Sequence, residues 1–150
     1  MGWLLFQEKV AAVTKLKNQC SNLSTRGSVT IDEIAQGAAC CEPPHPVTAE
    51  LFCYAMGYLA EESSVACDKI GAAGGIPVLV QLLARLPDEE RVVYCGCYAL
   101  YELAASGSAS MKSLILAQPD IIALLRAAST RLQAWGRSDL AAAALKELGL

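Results

Sequence analysis

Cys53–Ala60 reads CYAMGYLA and Cys97–Ala104 reads CYALYELA, and the relation between these two octapeptides decides the fold. Five of the eight positions are identical at an offset of 44, and a sixth pairs Met56 with Leu100. A fainter third copy lies at Ala144–Leu148, where ALKEL matches the ALYEL of Ala99–Leu103 at an offset of 45. Self-similarity with a period of about 20 to 50 residues marks a chain built by stacking one supersecondary unit.

Working outward, each copy follows a second apolar segment: Ile76–Leu86, IPVLVQLLARL, and Ile121–Ala128, IIALLRAA. Their apolar residues recur every three or four positions, as an amphipathic helix requires. Ile31–Cys40 is a more distant relative, with Thr30 and Glu33 spaced for a capping box. The breaks are also regular. Gly74 and Gly75 permit a sharp bend, and Pro77 falls in a helical first turn, where a missing N–H costs nothing. Pro87–Glu90 and the Pro43, Pro44, Pro46 cluster separate further helices, and Ser106–Ser110 forms a polar loop. The pattern predicts an all-α chain whose unit is one short helix, a bend and two longer helices.

That unit resembles an armadillo repeat, most clearly over Val65–Ala104, with IGAAGGIPVLVQLLARLPDEERVVYCGCYALYELA from Ile70 onward. The resemblance implies an α-solenoid, or superhelix, of about three armadillo-like repeats, the first degenerate. The approximate repeats are 1–46, 47–90 and 91–135, with a terminal helix at 136–150. A HEAT-type solenoid competes with this expectation and would leave the functional argument almost unchanged; an ordinary helical bundle gives no reason for the restored bend and period.

In peptide-binding members of the family, a Trp and an Asn four residues later on each third helix grip a peptide. The matching Trp positions here are Tyr54 and Tyr98, the Asn positions Tyr58 and Glu102, and the third copy supplies Ala143 and Glu147. The Asn ladder is absent, so cargo recognition of the nuclear-import kind is not implied. The resemblance implies instead a protein–protein interaction module whose concave face carries Tyr54, Tyr58, Tyr98, Glu102 and Glu147. Residues four apart share one helical face, and rings beside a carboxylate favour a protein or peptide with basic side chains. Tyr54 and Tyr98 could equally serve as plain core between third helices.

A structural scaffold role is the alternative, with self-association through uncapped ends at Trp3, Leu145 and Leu148. The chain opens on Trp3, Leu4, Leu5 and Phe6 and stops at Leu150 without the polar capping unit that a solenoid needs.

Composition narrows the classes further. The chain has 54% hydrophobic and 18% charged residues, and no apolar run approaches the roughly 20 residues of a membrane span. A net charge of -3 offers no basic footprint for nucleic acid. The seven cysteines are odd in number and sit in apolar, helix-like stretches with no basic leader before them, as buried thiols of a reducing compartment do. A cytoplasmic or nuclear location is expected. The CCEPPH stretch at Cys40–His45 brings thiols near the one histidine but lacks the spacing of a zinc site, and no phosphate-binding loop follows Gly71, Gly74 and Gly75. No cofactor, metal or catalytic group is expected.

Overall fold

The computed structural model describes residues 2–150 apart from the side chain of Leu4; Met1 and that side chain, part of the apolar opening stretch, lie outside it. The described residues form an all-α fold with no strand. The helices are α1 (Gly2–Ser21), α2 (Ile31–Ala39), α3 (Pro46–Glu62), α4 (Ser64–Ala72), α5 (Gly75–Arg85), α6 (Glu90–Ser106), α7 (Ala109–Leu116), α8 (Ile121–Ala134) and α9 (Leu140–Glu147), with a 3-10 turn at Arg26–Ser28.

Local chemistry sets most of the boundaries. Thr30 and Glu33 form the reciprocal capping box at the start of α2. Pro46 occupies the first turn of α3, and His45 caps it by accepting from the Val47 N–H. Ser63, Ser108 and Asp139 cap α4, α7 and α9 by accepting from the N–H three residues on. The Ser108 cap reduces the loop expected over Ser106–Ser110 to Gly107 and Ser108. The bend before α5 uses Gly74 at φ 75, a left-handed conformation that costs a residue with a Cβ about 1–2 kcal/mol. Asp120 takes the same conformation before α8, at φ 58.

Four helices, α1, α3, α6 and α9, pack successively side by side, α3 between α1 and α6 and α6 between α3 and α9. They run in the same direction. Phe6 of α1 packs on His45 at the start of α3, with ring centroids 4.4 Å apart. Arg91 in the first turn of α6 pairs with Glu50 at the start of the second turn of α3, while Tyr98 lies on Gly57 about two turns later. Arg137, just before α9, pairs with Glu90 at the start of α6. The helices α2, α5 and α8 contact one another in the same order.

The core lies between these sets. Phe52, Met56 and Leu59 of α3 and Leu100 and Leu103 of α6 are fully buried, each contributing about 1.5–3 kcal/mol. Burial repeats along with sequence: Cys53, Ala55, Met56, Leu59 and Ala60 are buried, as are Cys97, Ala99, Leu100, Leu103 and Ala104 at the offset of 44. The stretch expected to be degenerate contains the longest helix, α1, which turns Val13, Leu16 and Cys20 inward. The expected edges 46/47 and 90/91 fall one residue inside α3 and α6, and 135/136 just beyond α8.

Candidate functional site

The octapeptides place Tyr54 and Tyr58 one turn apart on α3 and Tyr98 at the matching position on α6. The three rings meet, with centroids 5.9 Å apart for Tyr54–Tyr58, 6.5 Å for Tyr54–Tyr98 and 6.1 Å for Tyr58–Tyr98. The first pair is nearly parallel, at 14°, and Tyr98 stands edge-on to both. Gly57 makes this meeting feasible: a Cβ there would come within 2.1 Å of Tyr98 Cε2. The rings are half-buried and pack on the core, so they are neither plain core nor free surface.

Carboxylates border the rings. The Tyr98 hydroxyl donates to Glu61 Oε1. Burial, together with this bond and the neighbouring carboxylates, pushes the Tyr98 hydroxyl well above its ordinary value. Burial, then the neighbouring Cys95, pushes Tyr54 up to about 12. Both rings are therefore neutral hydrogen-bonding surfaces at physiological pH. Glu102, half-buried one turn beyond Tyr98, has its carboxyl raised by burial and then by the charge of Glu61. Opposite Glu61, Arg26 of the 3-10 turn lies with Nη1 3.8 Å from Oε2. Arg26 is only 6% exposed, and its Nε has no partner.

Nearer the helix starts, the chain supplies its own cations. Arg91 Nη1 lies 3.2 Å from Glu50 Oε1, one turn before Tyr54. Arg137 Nε lies 3.3 Å from Glu90 Oε1, and its guanidinium carbon sits 4.9 Å from the centre of the Tyr94 ring. Sequence reasoning missed Glu50, Glu61, Glu90, Tyr94 and these arginines. The Glu50–Tyr54 and Glu90–Tyr94 spacings were the available signal.

The other expected residues stand apart. Glu147 is half-buried on α9, with no hydrogen bond or ion pair to the tyrosines among the described residues. Trp3 is 67% exposed and Leu145 half-buried. Leu148 is 8% exposed, at the repeat position of buried Leu103.

All seven cysteines are free thiols. Burial pushes Cys20, Cys41, Cys95 and Cys97 up to about 12 and Cys67 up to about 11, so thiolate is scarce at neutral pH. Cys40 and His45 both line a cavity of about 260 Å³ with Phe6, Lys9 and Pro44. There, Nδ1 of His45 is occupied by the Val47 N–H, and burial raises the Cys40 thiol as well. Among the described residues no three His, Cys, Asp or Glu side chains are grouped to hold a metal ion, and no single helix is long and apolar enough to cross a membrane. Comparison with protein-family models, curated proteins and solved structures finds no match.

Proposed function

We propose that the chain is an armadillo-type α-solenoid segment that binds another protein on the face formed by α3 and α6. The observation that carries this reading is the meeting of Tyr54, Tyr58 and Tyr98 across two co-directional helices, bordered by Glu61 and Glu102. Half-buried tyrosines held by core packing present large area with little side-chain entropy left to lose, which suits them to anchor a contact. The row α1, α3, α6, α9, the recurrent left-handed bend and the sequence period support the solenoid assignment.

The test is affinity capture of cellular protein by the wild-type chain, by Tyr58→Ala and by Arg126→Ala, whose side chain is exposed on α8. A partner lost from the first variant and kept by the second supports the binding face. A partner retained equally by both places the contact elsewhere and sinks the proposal. Tyr58→Ala should weaken binding more than Glu102→Gln, since exposed ion pairs contribute only about 0–1 kcal/mol.

A further inference from the structure

An acid and a tyrosine four residues apart occur four times on α3 and α6, as Glu50–Tyr54, Tyr58–Glu62, Glu90–Tyr94 and Tyr98–Glu102. Two of the four have an arginine paired with the acid. Arg91 pairs with Glu50 alone, whereas the Arg137 guanidinium both pairs with Glu90 and covers the Tyr94 ring. Tyr58–Glu62 and Tyr98–Glu102 have none, and Tyr98 is joined across the helices to Tyr58 and Glu61. No cation of the chain lies within ion-pair distance of Glu102 among the described residues, and Arg26 reaches only Glu61, at 3.8 Å. This leaves the middle of the face with more carboxylate than cation. The tyrosine centroids form a triangle with sides of 5.9, 6.5 and 6.1 Å.

Resting on the binding face proposed above, we infer that the Tyr58–Tyr98–Glu102 position receives the guanidinium of an arginine in an extended segment of the partner. The chain's own example of such a contact, on Glu90 and Tyr94, is an arginine, and the chemistry accounts for the choice. A planar, weakly hydrated guanidinium stacks on a ring and donates to a carboxylate at once, whereas a lysine ammonium is compact and strongly hydrated.

The probes are the capped tripeptides Gly-Arg-Gly and Gly-Lys-Gly, followed by tyrosine-ring NMR on the intact chain. The arginine probe should shift the Tyr58 and Tyr98 rings saturably and bind roughly threefold or more tighter than the lysine probe. Tyr94, already covered by Arg137, should not respond. Glu102→Gln keeps the side-chain shape at a half-exposed position and should cost the arginine probe roughly threefold in affinity, with thermal unfolding confirming that the variant is folded. Equal response to the two probes, no saturable shift, or indifference to Glu102→Gln would each overturn the inference. A concentration-dependent dimer abolished by Glu102→Gln would assign the position to a second copy of this chain and overturn it likewise. Failure here separates from failure of the wider reading. A captured partner lost in Tyr58→Ala but kept in Glu102→Gln removes the guanidinium position and leaves the binding face, whereas a partner indifferent to Tyr58→Ala removes the face itself.

Discussion

Along α6, the Glu90–Tyr94 step is closed by Arg137, whereas the Tyr98–Glu102 step beyond it meets tyrosines and a second carboxylate. The two steps carry the same residue types on one helix, so composition does not separate them. Position does. Arg137 comes from the loop leading into α9, and Arg91 from the first turn of α6, so both reach only the start of the neighbouring helix. Farther along, α9 offers Ala143 and Glu147 in place of a cation. The chain thus ties the starts of its co-directional helices with its own arginines and leaves an acidic, aromatic surface at their middle.

The middle step depends on one absent side chain. Gly57→Ala would place a Cβ into the Tyr98 ring, and overpacking of this kind costs about 1–3 kcal/mol. Chemical denaturation should show that loss, and Tyr98 should leave the triad while Tyr94 keeps Arg137. A variant as stable as the wild type, with unchanged ring resonances, would mean that Gly57 does not create the middle surface.

The closed step depends on the loop before α9, and there Asp139 is the fastening. It accepts from the Ala142 N–H at 2.9 Å, the Ser129 hydroxyl at 2.5 Å and the Gln133 amide at 2.7 Å. Burial alone would raise its carboxyl, but these bonds outweigh that and hold it below the ordinary 3.8. A depressed carboxyl adds stability above its unfolded value and loses it as pH falls through the folded one. Asp139→Ala should cost about 0.5–2 kcal/mol at neutral pH, with the deficit shrinking in acid. Urea titrations at several pH values would measure both.

The two steps were unequally legible in the sequence. The octapeptide repeat marks Tyr54, Tyr58, Tyr98 and Glu102, and the structure brings these four together, because a repeated burial pattern fixes which side of each helix faces outward. The same repeat sets Leu148 at the buried position of Leu103. Arg26 and Glu61 were not legible: Glu61 lies just past the repeated stretch, and Arg26 arrives from a 3-10 turn with no periodic signature. α1 was obscured because Lys15, Lys17, Asn18 and Gln19 stand among Val13, Leu16 and Cys20, leaving a stripe too narrow to resemble its neighbours. Glu147 carries the right sequence register, yet nothing on α9 supplies the ring beside it.

Removing the closing cation would make the two steps alike. Arg137→Ala uncovers Tyr94 and frees Glu90, and an exposed ion pair with a cation–π contact is worth about 1 kcal/mol. The arginine tripeptide should then shift Tyr94 as well as Tyr58 and Tyr98. If Tyr94 stays silent in that variant, an acid and a ring one turn apart are not sufficient to receive a guanidinium, at Glu90 or at Glu102.

The smallest effect is the pH response of the open step. Glu102 faces Glu61, Tyr98 and Cys67, with Tyr58 and Arg26 around the same cluster, and burial followed by Glu61 raises its carboxyl above the ordinary 4.5. A raised carboxyl holds its proton more tightly in the folded chain, so its contribution is fully present below the unfolded value and is lost as pH rises through the folded one. Glu102→Gln removes that dependence, so its melting temperature should match the wild type in acid and exceed it slightly at neutral pH. A bound guanidinium reverses the preference, because it stabilises the ionised form. Affinity for the arginine tripeptide should therefore rise with pH through the raised Glu102 value, and do so in the wild type but not in Glu102→Gln. A rise of equal size in both would trace the dependence to Glu61, moving the centre of the open step from α6 to α3.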